Sequence, residues 1–199
     1  MIKYFTQEDI CRHIILLKME QTKLNLPRRD DRQTRRVIVY LKRLGLSEKT
    51  IQYIFSEGLI YPDDRGNAVF VNYAQSAAEV KGTSENSRFM PTYRVAPDRF
   101  WYLGKKGDKI YICASATDAL ALYELKGESA IYASTAGGQN YKVVEKILQS
   151  GRKCVLAINN DVTCDRCRRR FPESDNLKHL KPNGKNWAED LRNMKGNSN

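Results

Sequence analysis

Long apolar runs are missing from this sequence. No segment approaches the roughly 20 consecutive apolar residues that a membrane-spanning helix requires. The first eight residues, with Lys3 and Glu8 among them, also lack the apolar core of a signal peptide. We therefore expect a soluble, cytoplasmic protein that does not act on a membrane.

Cysteine and histidine are scarce, with five and two residues. An odd number of widely spread cysteines is typical of free thiols in a reducing compartment rather than of a disulfide framework. Cys164 and Cys167 are separated by two residues and His179 follows, a pattern that suggests zinc. Because a fourth ligand is missing nearby, the sequence leaves zinc binding open.

Acidic residues are outnumbered, since 23 Asp and Glu stand against 34 Lys and Arg, for a formal net charge of +11. Such an excess favours a polyanionic partner, with nucleic acid ahead of an anionic membrane surface. The alternative is a charge that serves solubility alone. The expected partners are DNA or RNA, which the sequence does not distinguish, with nucleotides and a protein partner as further candidates.

The basic residues are clustered along the chain. Guanidinium groups suit phosphate oxygens because their donors form a planar fork. The alternative is a solvated face, partly neutralised by Asp30 and Asp31. The residues predicted to bind nucleic acid are Arg28, Arg29, Arg32, Arg35, Arg36, Lys42, Arg43, Lys81, Arg166, Arg168, Arg169 and Arg170.

The first half of the chain changes from a helical to a strand period. Apolar residues at helical spacing predict three helices, over 6–22, 31–44 and 47–58. Two short strands are predicted next, at 69–73 and 79–81. The stretch 82–98 is rich in turn residues, so it is predicted to be a loop or linker.

The second half alternates strands with helices. The predicted strands are 109–113, 129–133 and 153–158, and the predicted helices are 117–125 and 141–149. This alternation predicts a parallel sheet flanked by helices, in which ligands bind beyond the carboxyl ends of the strands. Three segments should meet there: 114–118, 134–138 and 159–161. The predicted organisation is a domain over 1–98, a second domain over 99–195 and a tail over 196–199.

The strand ends carry two segments that resemble TOPRIM domains. Residues 110–120 are similar to the first TOPRIM motif, a strand followed by Glu-x-x-x-Asp-Ala-Leu. Residues 155–161 are similar to the second motif, a strand that ends in Asp-x-Asp. Residues 136–138 fit the family's glycine turn, and 184–191 resemble a segment of TOPRIM proteins from plasmids and conjugative elements.

The first half extends the resemblance. Four segments follow the order of the small domain that precedes TOPRIM in many primase-like mobile-element proteins: 40–47, 58–61, 65–70 and 81–83. The resemblance implies an α/β protein whose C-terminal TOPRIM-like parallel sheet is preceded by a smaller α+β domain. It also implies binding of nucleic acid or nucleotide phosphates, and Mg²⁺-dependent nucleotidyl transfer or phosphodiester cleavage.

The acidic site of the family is incomplete in this chain. The family's Glu falls at Ala114 and the first Asp of Asp-x-Asp falls at Asn159, so that Asp118 and Asp161 remain. The resemblance assigns these four positions to the catalytic site. It implies that Asp118, Asn159 and Asp161 are the metal ligands and that Lys185 contacts phosphate. Because Mg²⁺ prefers anionic oxygen ligands, its binding is expected to be weakened or lost.

Three explanations for Ala114 stay open: an engineered knockout, a natural protein that kept the fold for binding, or a motif register that is displaced. The second departure, at Asn159, favours a natural change. The sequence therefore predicts a primase-like TOPRIM protein with an impaired acidic site. The alternative is a non-catalytic regulator or inhibitor of a mobile element that binds nucleic acid or protein.

Overall fold

The structure is a computed structural model that describes residues 24–104 and 106–196. The predicted helix over 6–22 lies outside these ranges. A short 3-10 helix, Asp31–Gln33, leads into helix α1, Thr34–Arg43. Helix α2, Glu48–Ser56, begins after Ser47, whose hydroxyl accepts a hydrogen bond from the amide of Thr50. The second and third predicted helices are thereby confirmed.

The first sheet is antiparallel and has four strands in the order β1-β2-β3-β4. Their bounds are β1 Ile60–Pro62, β2 Ala68–Val71, β3 Ala77–Lys81 and β4 Thr92–Arg94. Strand β2 ends before the predicted residue 73 because the side chain of Asn72 accepts from the amides of Ser76 and Ala77 and turns the chain. Strand β4 lies inside the predicted loop 82–98, which is a correction. The strand forms because residues 92–94 pair with β3, and a contact of this kind is not visible in the alternation of apolar and polar residues along the sequence.

The second sheet has five strands in the order β5-β7-β6-β8-β9, and all neighbours are parallel except β5 and β7. The strand bounds are β5 Tyr102–Leu103, β6 Lys109–Cys113, β7 Ile131–Ser134, β8 Lys153–Leu156 and β9 Leu177–His179. The helix bounds are α3 Ala116–Lys126, α4 Tyr141–Leu148, α5 Val162–Arg170 and α6 Trp187–Gly196. The predicted α/β class, a parallel sheet flanked by helices, is confirmed.

Side chains of β6 alternate between two apolar clusters. Tyr111 and Cys113 pack in the cluster that contains α3 and α6, whereas Ile110 and Ile112 pack in the cluster that contains α4 and α5. Helices therefore cover both faces of the sheet, as the two-residue period of a strand requires. Helix α5 is absent from the sequence-based expectations because most of its residues are polar or charged.

The largest apolar cluster contains residues from both halves of the chain. The indole of Trp101 is buried in it, donates from Nε1 to the carbonyl oxygen of Leu59 at 3.1 Å, and meets the ring of Phe70 edge-on, with 5.9 Å between centroids. Trp101 thus packs against residues on the other side of the predicted boundary after residue 98. The division into domains stays a prediction.

Within residues 24–104 and 106–196, none of the helices has the length and apolar character needed to cross a membrane.

Replacing Trp101 by Ala removes a fully buried ring that joins the two sheets. We expect Trp101→Ala to lower the free energy of unfolding by about 3–5 kcal/mol, from lost burial and the remaining cavity. Chemical denaturation measures the change, and Val39→Ala, at a side chain that is 48% exposed, should change it by less than about 0.5 kcal/mol. Two separate transitions, of which Trp101→Ala moves only one, would contradict a shared core.

Candidate functional site

The three predicted loops meet at a pocket beyond the carboxyl ends of β6, β7 and β8. The pocket has a volume of about 730 Å³. Residues of the first sheet and of α6 complete its wall. The polar side chains that line it include Glu79, Lys81, Asp118, Asn159, Asp161 and Arg192. The predicted convergence of 114–118, 134–138 and 159–161 is therefore confirmed.

Asp118 lies in the first turn of α3 and is 4% exposed. Its Oδ2 accepts a hydrogen bond from the hydroxyl of Ser115 at 2.6 Å, and its own amide donates to the same hydroxyl. Burial raises the pKa of Asp118, although hydrogen bonds from Ser115 and Asn159 and the charge of Lys81 act in the opposite direction. This carboxylate is thus partly occupied by internal contacts.

Asn159 and Asp161 follow β8 at the same edge. The Oδ1 of Asp161 accepts from the amide of Cys164 at 2.8 Å and so caps α5. The Oδ1 of Asn159 is buried without a hydrogen bond. Gly138 lets the neighbouring loop approach α5, because a Cβ there would lie 2.7 Å from Sγ of Cys164. The strand end after β8 therefore offers two kinds of side-chain oxygen as metal ligands: the ionisable carboxyl group of Asp161 and the neutral amide oxygen of Asn159.

Glu79 is a site residue that the sequence analysis did not identify. It lies on β3 of the first sheet, is 4% exposed, and reaches the pocket that Ala114 also lines. Its Oε2 accepts from the amide of Ala116 at 3.0 Å, whereas Oε1 is buried without a hydrogen bond. Burial raises the pKa of Glu79, while Lys81, Ser134, the Ala116 amide and Arg94 lower it by smaller amounts.

The acidic residues do not fit a bare Mg²⁺ ion. Within the two described ranges, no group of three or more His, Cys, Asp or Glu side chains could hold a metal ion. Ala114 supplies no ligand, and the carboxylate of Asp118 already has hydrogen-bond partners. An unpartnered oxygen remains on Glu79 and on Asn159, but two such atoms fall short of the oxygen shell of a hard cation.

Lys185 and Arg168 differ in how they relate to the pocket. The Lys185 side chain is exposed, and its carbonyl accepts from the amide of Asn160, which attaches the segment before α6 to the site. Arg168 is 6% exposed and donates to the carbonyls of Ile158 and Asn159 and to Asp165. The prediction that Arg168 contacts nucleic acid is therefore wrong, because its guanidinium is used inside the protein.

A basic groove adjoins the pocket, and we define it by Arg32, Arg35, Arg36, Arg43, Thr83 and Ser84. Its volume is about 470 Å³. Arg36 donates from Nε to the hydroxyl of Thr83 at 2.9 Å, and Arg43 donates from Nη2 to the Thr83 carbonyl at 2.5 Å. Arg43 precedes the pocket residue Leu44, so the groove and the pocket are neighbours.

Other predicted basic residues lie outside the groove. The guanidinium of Arg29 pairs with Asp31 at 2.7 Å, and Arg28 is exposed on the same segment. Lys42 pairs with Glu48, and Lys81 lines the pocket. On α5, Arg166 and Arg169 are exposed, whereas Arg170 pairs with Glu145 and lies over the ring of Tyr141.

The zinc pattern does not form a metal site within the described part of the chain. Cys164 and Cys167 are buried in the apolar cluster of α4 and α5, and burial raises the pKa of their thiols to about 12 and about 11. Zinc binds cysteine as the thiolate, and burial in an apolar cluster disfavours that charged form. A ring nitrogen of His179 is hydrogen-bonded to the carbonyl of Phe171 at 2.7 Å.

Comparison with solved structures finds the same architecture in two primases. The chain is similar to the primase fragment of the bacteriophage T7 primase-helicase protein, with 14% identity, a TM-score of 0.55, and coverage of 77% of this chain and 67% of that one. It is also similar to the DnaG catalytic core, with 12% identity, a TM-score of 0.56, and coverage of 79% and 68%. No protein-family model and no curated protein sequence matches.

Identities this low show the fold alone. Both neighbours contain TOPRIM domains, so the chain has a primase-like TOPRIM fold. The TOPRIM fold that the strand-end motifs implied is confirmed at this level. The plasmid-type family and its preceding domain stay predictions.

Replacing Glu79 by Gln tests the burial of this carboxyl group. Because its pKa is raised, the folded state holds the proton more tightly than the unfolded chain, and stability falls as the pH rises above the ordinary value of 4.5. Glu79→Gln removes this dependence. We expect the free energy of unfolding of the variant to increase relative to that of the wild type as the pH rises, in urea unfolding between pH 4 and 8.

The control is Glu128→Gln. Hydrogen bonds from Lys109 and Tyr111 lower the pKa of Glu128, so its contribution is present above the ordinary pKa and lost as the pH falls. The control should therefore lose stability relative to the wild type as the pH rises. A Glu79→Gln difference that does not change with pH would show that this carboxyl group titrates normally in the folded state.

Proposed function

We propose that this protein binds nucleic acid on a primase-like TOPRIM scaffold. In this proposal the basic groove contacts the phosphate backbone, and the adjoining pocket binds a phosphate group or a nucleotide. The observation that carries the proposal is that Arg43 and Thr83 of the arginine groove lie within two residues of Leu44 and Lys81, which line the pocket at the strand ends. In parallel α/β sheets this edge is where ligands bind.

The groove has the chemistry of a phosphate contact. Thr83 holds Arg36 and Arg43 in fixed positions, which reduces the side-chain entropy lost on binding. Arg35 is exposed and lines the groove. The side chain of Arg32 is 88% exposed and pairs with Asp30 through two hydrogen bonds, so a phosphate competes with that carboxylate for the guanidinium. The groove therefore combines fixed and available guanidinium groups.

The pocket is lined by side chains of both charges. Lys81 and Arg192 contribute positive charge to a wall that also contains Glu79, Asp118 and Asp161. A phosphate is attracted by the two basic residues and by the amide ends of α3 and α5, and it is repelled by the carboxylates. Lys81 lies two residues before the groove residue Thr83, so we place the phosphate near Lys81.

The proposal does not include metal-dependent catalysis by this chain. The resemblance to TOPRIM proteins implies Mg²⁺-dependent nucleotidyl transfer or phosphodiester cleavage in an intact relative. Here Ala114 and Asn159 remove two carboxylates, and the residues present do not fit a bare Mg²⁺ ion. We propose a binding protein, such as a regulator or inhibitor of a mobile element, as the role that the depleted site supports best.

The double variant Arg32→Ala/Arg35→Ala tests the groove. We expect weaker binding of a fluorescent oligonucleotide and a salt dependence, the slope of log K against log salt, that is smaller by about 1–2, since each lost phosphate contact contributes nearly one. Anisotropy titrations between 25 and 300 mM KCl, about a tenfold range, measure both quantities.

The matched control is Lys126→Ala/Lys153→Ala, which removes the same charge. Both side chains are exposed; Lys153 begins β8 and Lys126 ends α3, so they lie at the opposite edge of the sheet. This control should change the slope little. Absence of binding to both DNA and RNA at the lowest salt would contradict the proposal and would favour a protein partner.

A second experiment tests the loss of the metal site. Isothermal titration of the wild type with MgCl₂ should show no binding at micromolar concentrations, because too few carboxylates are available. Ala114→Glu/Asn159→Asp restores two carboxylates, and we expect its affinity for Mg²⁺ to rise at least tenfold, with primer synthesis and nicking assayed alongside. Micromolar Mg²⁺ binding or either activity in the wild type would refute a non-catalytic role.

A further inference from the structure

The loop that follows β7 lines the pocket in a strained conformation. We call residues 134–138 the β7 loop, and its Ala136, Gly137 and Gly138 line the pocket. Ala136 has a φ of 49°, in the left-handed region that glycine adopts freely and that is unfavourable for alanine. A strained residue keeps such a conformation only where the surrounding contacts hold it, and strain of this kind is concentrated at functional sites. The contacts that hold Ala136 therefore determine the shape of this part of the pocket.

Hydrogen bonds within the second sheet hold part of the β7 loop. The amide of Ala136 donates to the hydroxyl of Ser134 at 3.0 Å. The hydroxyl of Thr135 donates to the carbonyl of Gly137 at 2.9 Å, and the amide of Gly137 donates to the carbonyl of Ala114 at 2.8 Å. These bonds close the turn on both sides of Ala136, but the carbonyl oxygen of Thr135 is held from elsewhere.

Arg94, on the first sheet, contacts the carbonyl of Thr135. Its Nη2 donates to that oxygen at 2.8 Å, and the side-chain amide of Asn140, directly before α4, donates to the same oxygen at 3.0 Å. Arg94 lies on β4 two residues after Thr92, so the two side chains leave the strand on the same face. Thr92 lines the pocket, whereas Arg94 does not. The guanidinium of Arg94 thus contacts the loop rather than the pocket.

Arg94 differs from the arginines of the groove in its surroundings. It is partly buried, and its Nε is shielded from solvent, whereas Arg32 and Arg35 are exposed. Removing an exposed arginine takes away a possible phosphate contact, but removing Arg94 takes away a support of the β7 loop. The two cases differ in their salt dependence, because only a direct phosphate contact releases counterions.

We propose that Arg94 is a positioning residue for the pocket: its hydrogen bond to Thr135 keeps the β7 loop, with the left-handed Ala136, in the conformation that receives the ligand's phosphate group. The inference rests on the proposed function and adds a residue that shapes its binding site. Without Arg94, Ala136 is free to relax to an ordinary backbone conformation, and fewer molecules keep the binding-competent loop. The apparent affinity for the ligand falls in proportion to that fraction.

The experiment measures binding of the fluorescent oligonucleotide to the full chain by anisotropy, over the same salt range as for the groove. We expect Arg94→Ala to weaken binding about 5- to 30-fold, with the same slope of log K against log salt as the wild type. Arg94→Ala/Ala136→Gly should recover most of the affinity, because glycine adopts the left-handed conformation without support. Ala136→Gly alone should bind like the wild type. Circular dichroism at the titration temperature checks folding, and if Arg94→Ala does not fold, Arg94→Gln should show the same loss and the same recovery.

Arg99→Ala is the matched control, because it removes the same charge from the segment between β4 and β5. The Arg99 side chain is 54% exposed and lies 4.0 Å from the carboxylate of Asp98, so its loss should change neither the affinity nor the slope. Equal affinities of Arg94→Ala and Arg99→Ala would overturn the positioning role and leave the proposed function intact. A slope smaller by about 1 in Arg94→Ala would indicate a direct phosphate contact, and a loss that Ala136→Gly does not restore would separate Arg94 from the loop. Either result would overturn the inference, and absence of binding by the wild type would overturn the proposed function with it.

Discussion

One wall of the pocket depends on a buried hydrogen bond between the two sheets. Oε2 of Glu79, on the first sheet, accepts from the amide of Ala116, where α3 begins on the second. An amide in the first turn of a helix has no partner within that helix, so the carboxylate completes the helix start and joins two layers of the fold. Ser115 and Asp118 arrange the rest of the same turn. The edge at which the strands end is therefore closed on one side by a residue from the first sheet.

The distribution of charge around this contact explains why binding and catalysis are separated in the proposal. Carboxylates lie inside the pocket, where burial raises the pKa of Glu79 and Asp118 and each carboxyl group accepts an internal hydrogen bond. The guanidinium groups of the groove lie outside it, where two of them donate to Thr83. A scaffold can lose metal ligands at its centre and still retain a phosphate-binding surface, because the two depend on different elements.

Local patterns predicted much of the fold and of the strand-end site. The alternation of strands and helices and the loops after β6, β7 and β8 follow from short-range periodicity, and the structure brings those loops together. Glu79 was not predicted because its role depends on a contact with Ala116, 37 residues away. Arg168 was assigned to the surface with its basic neighbours, yet helical spacing from Cys164 places it on the buried face of α5. The same spacing buries Cys164 and Cys167 together and thereby explains a pattern that resembled zinc ligands.

The hydrogen bond at Gly82 has a consequence for strand β3. Glu79 lies three residues before Gly82 on the strand, and Phe89 is hydrogen-bonded to Gly82 from the returning arm. The group that closes the pocket inside and the ring that is exposed outside are consequently attached to the same β3–β4 hairpin. One hydrogen-bonded hairpin thus connects the surface at Phe89 with the buried start of α3.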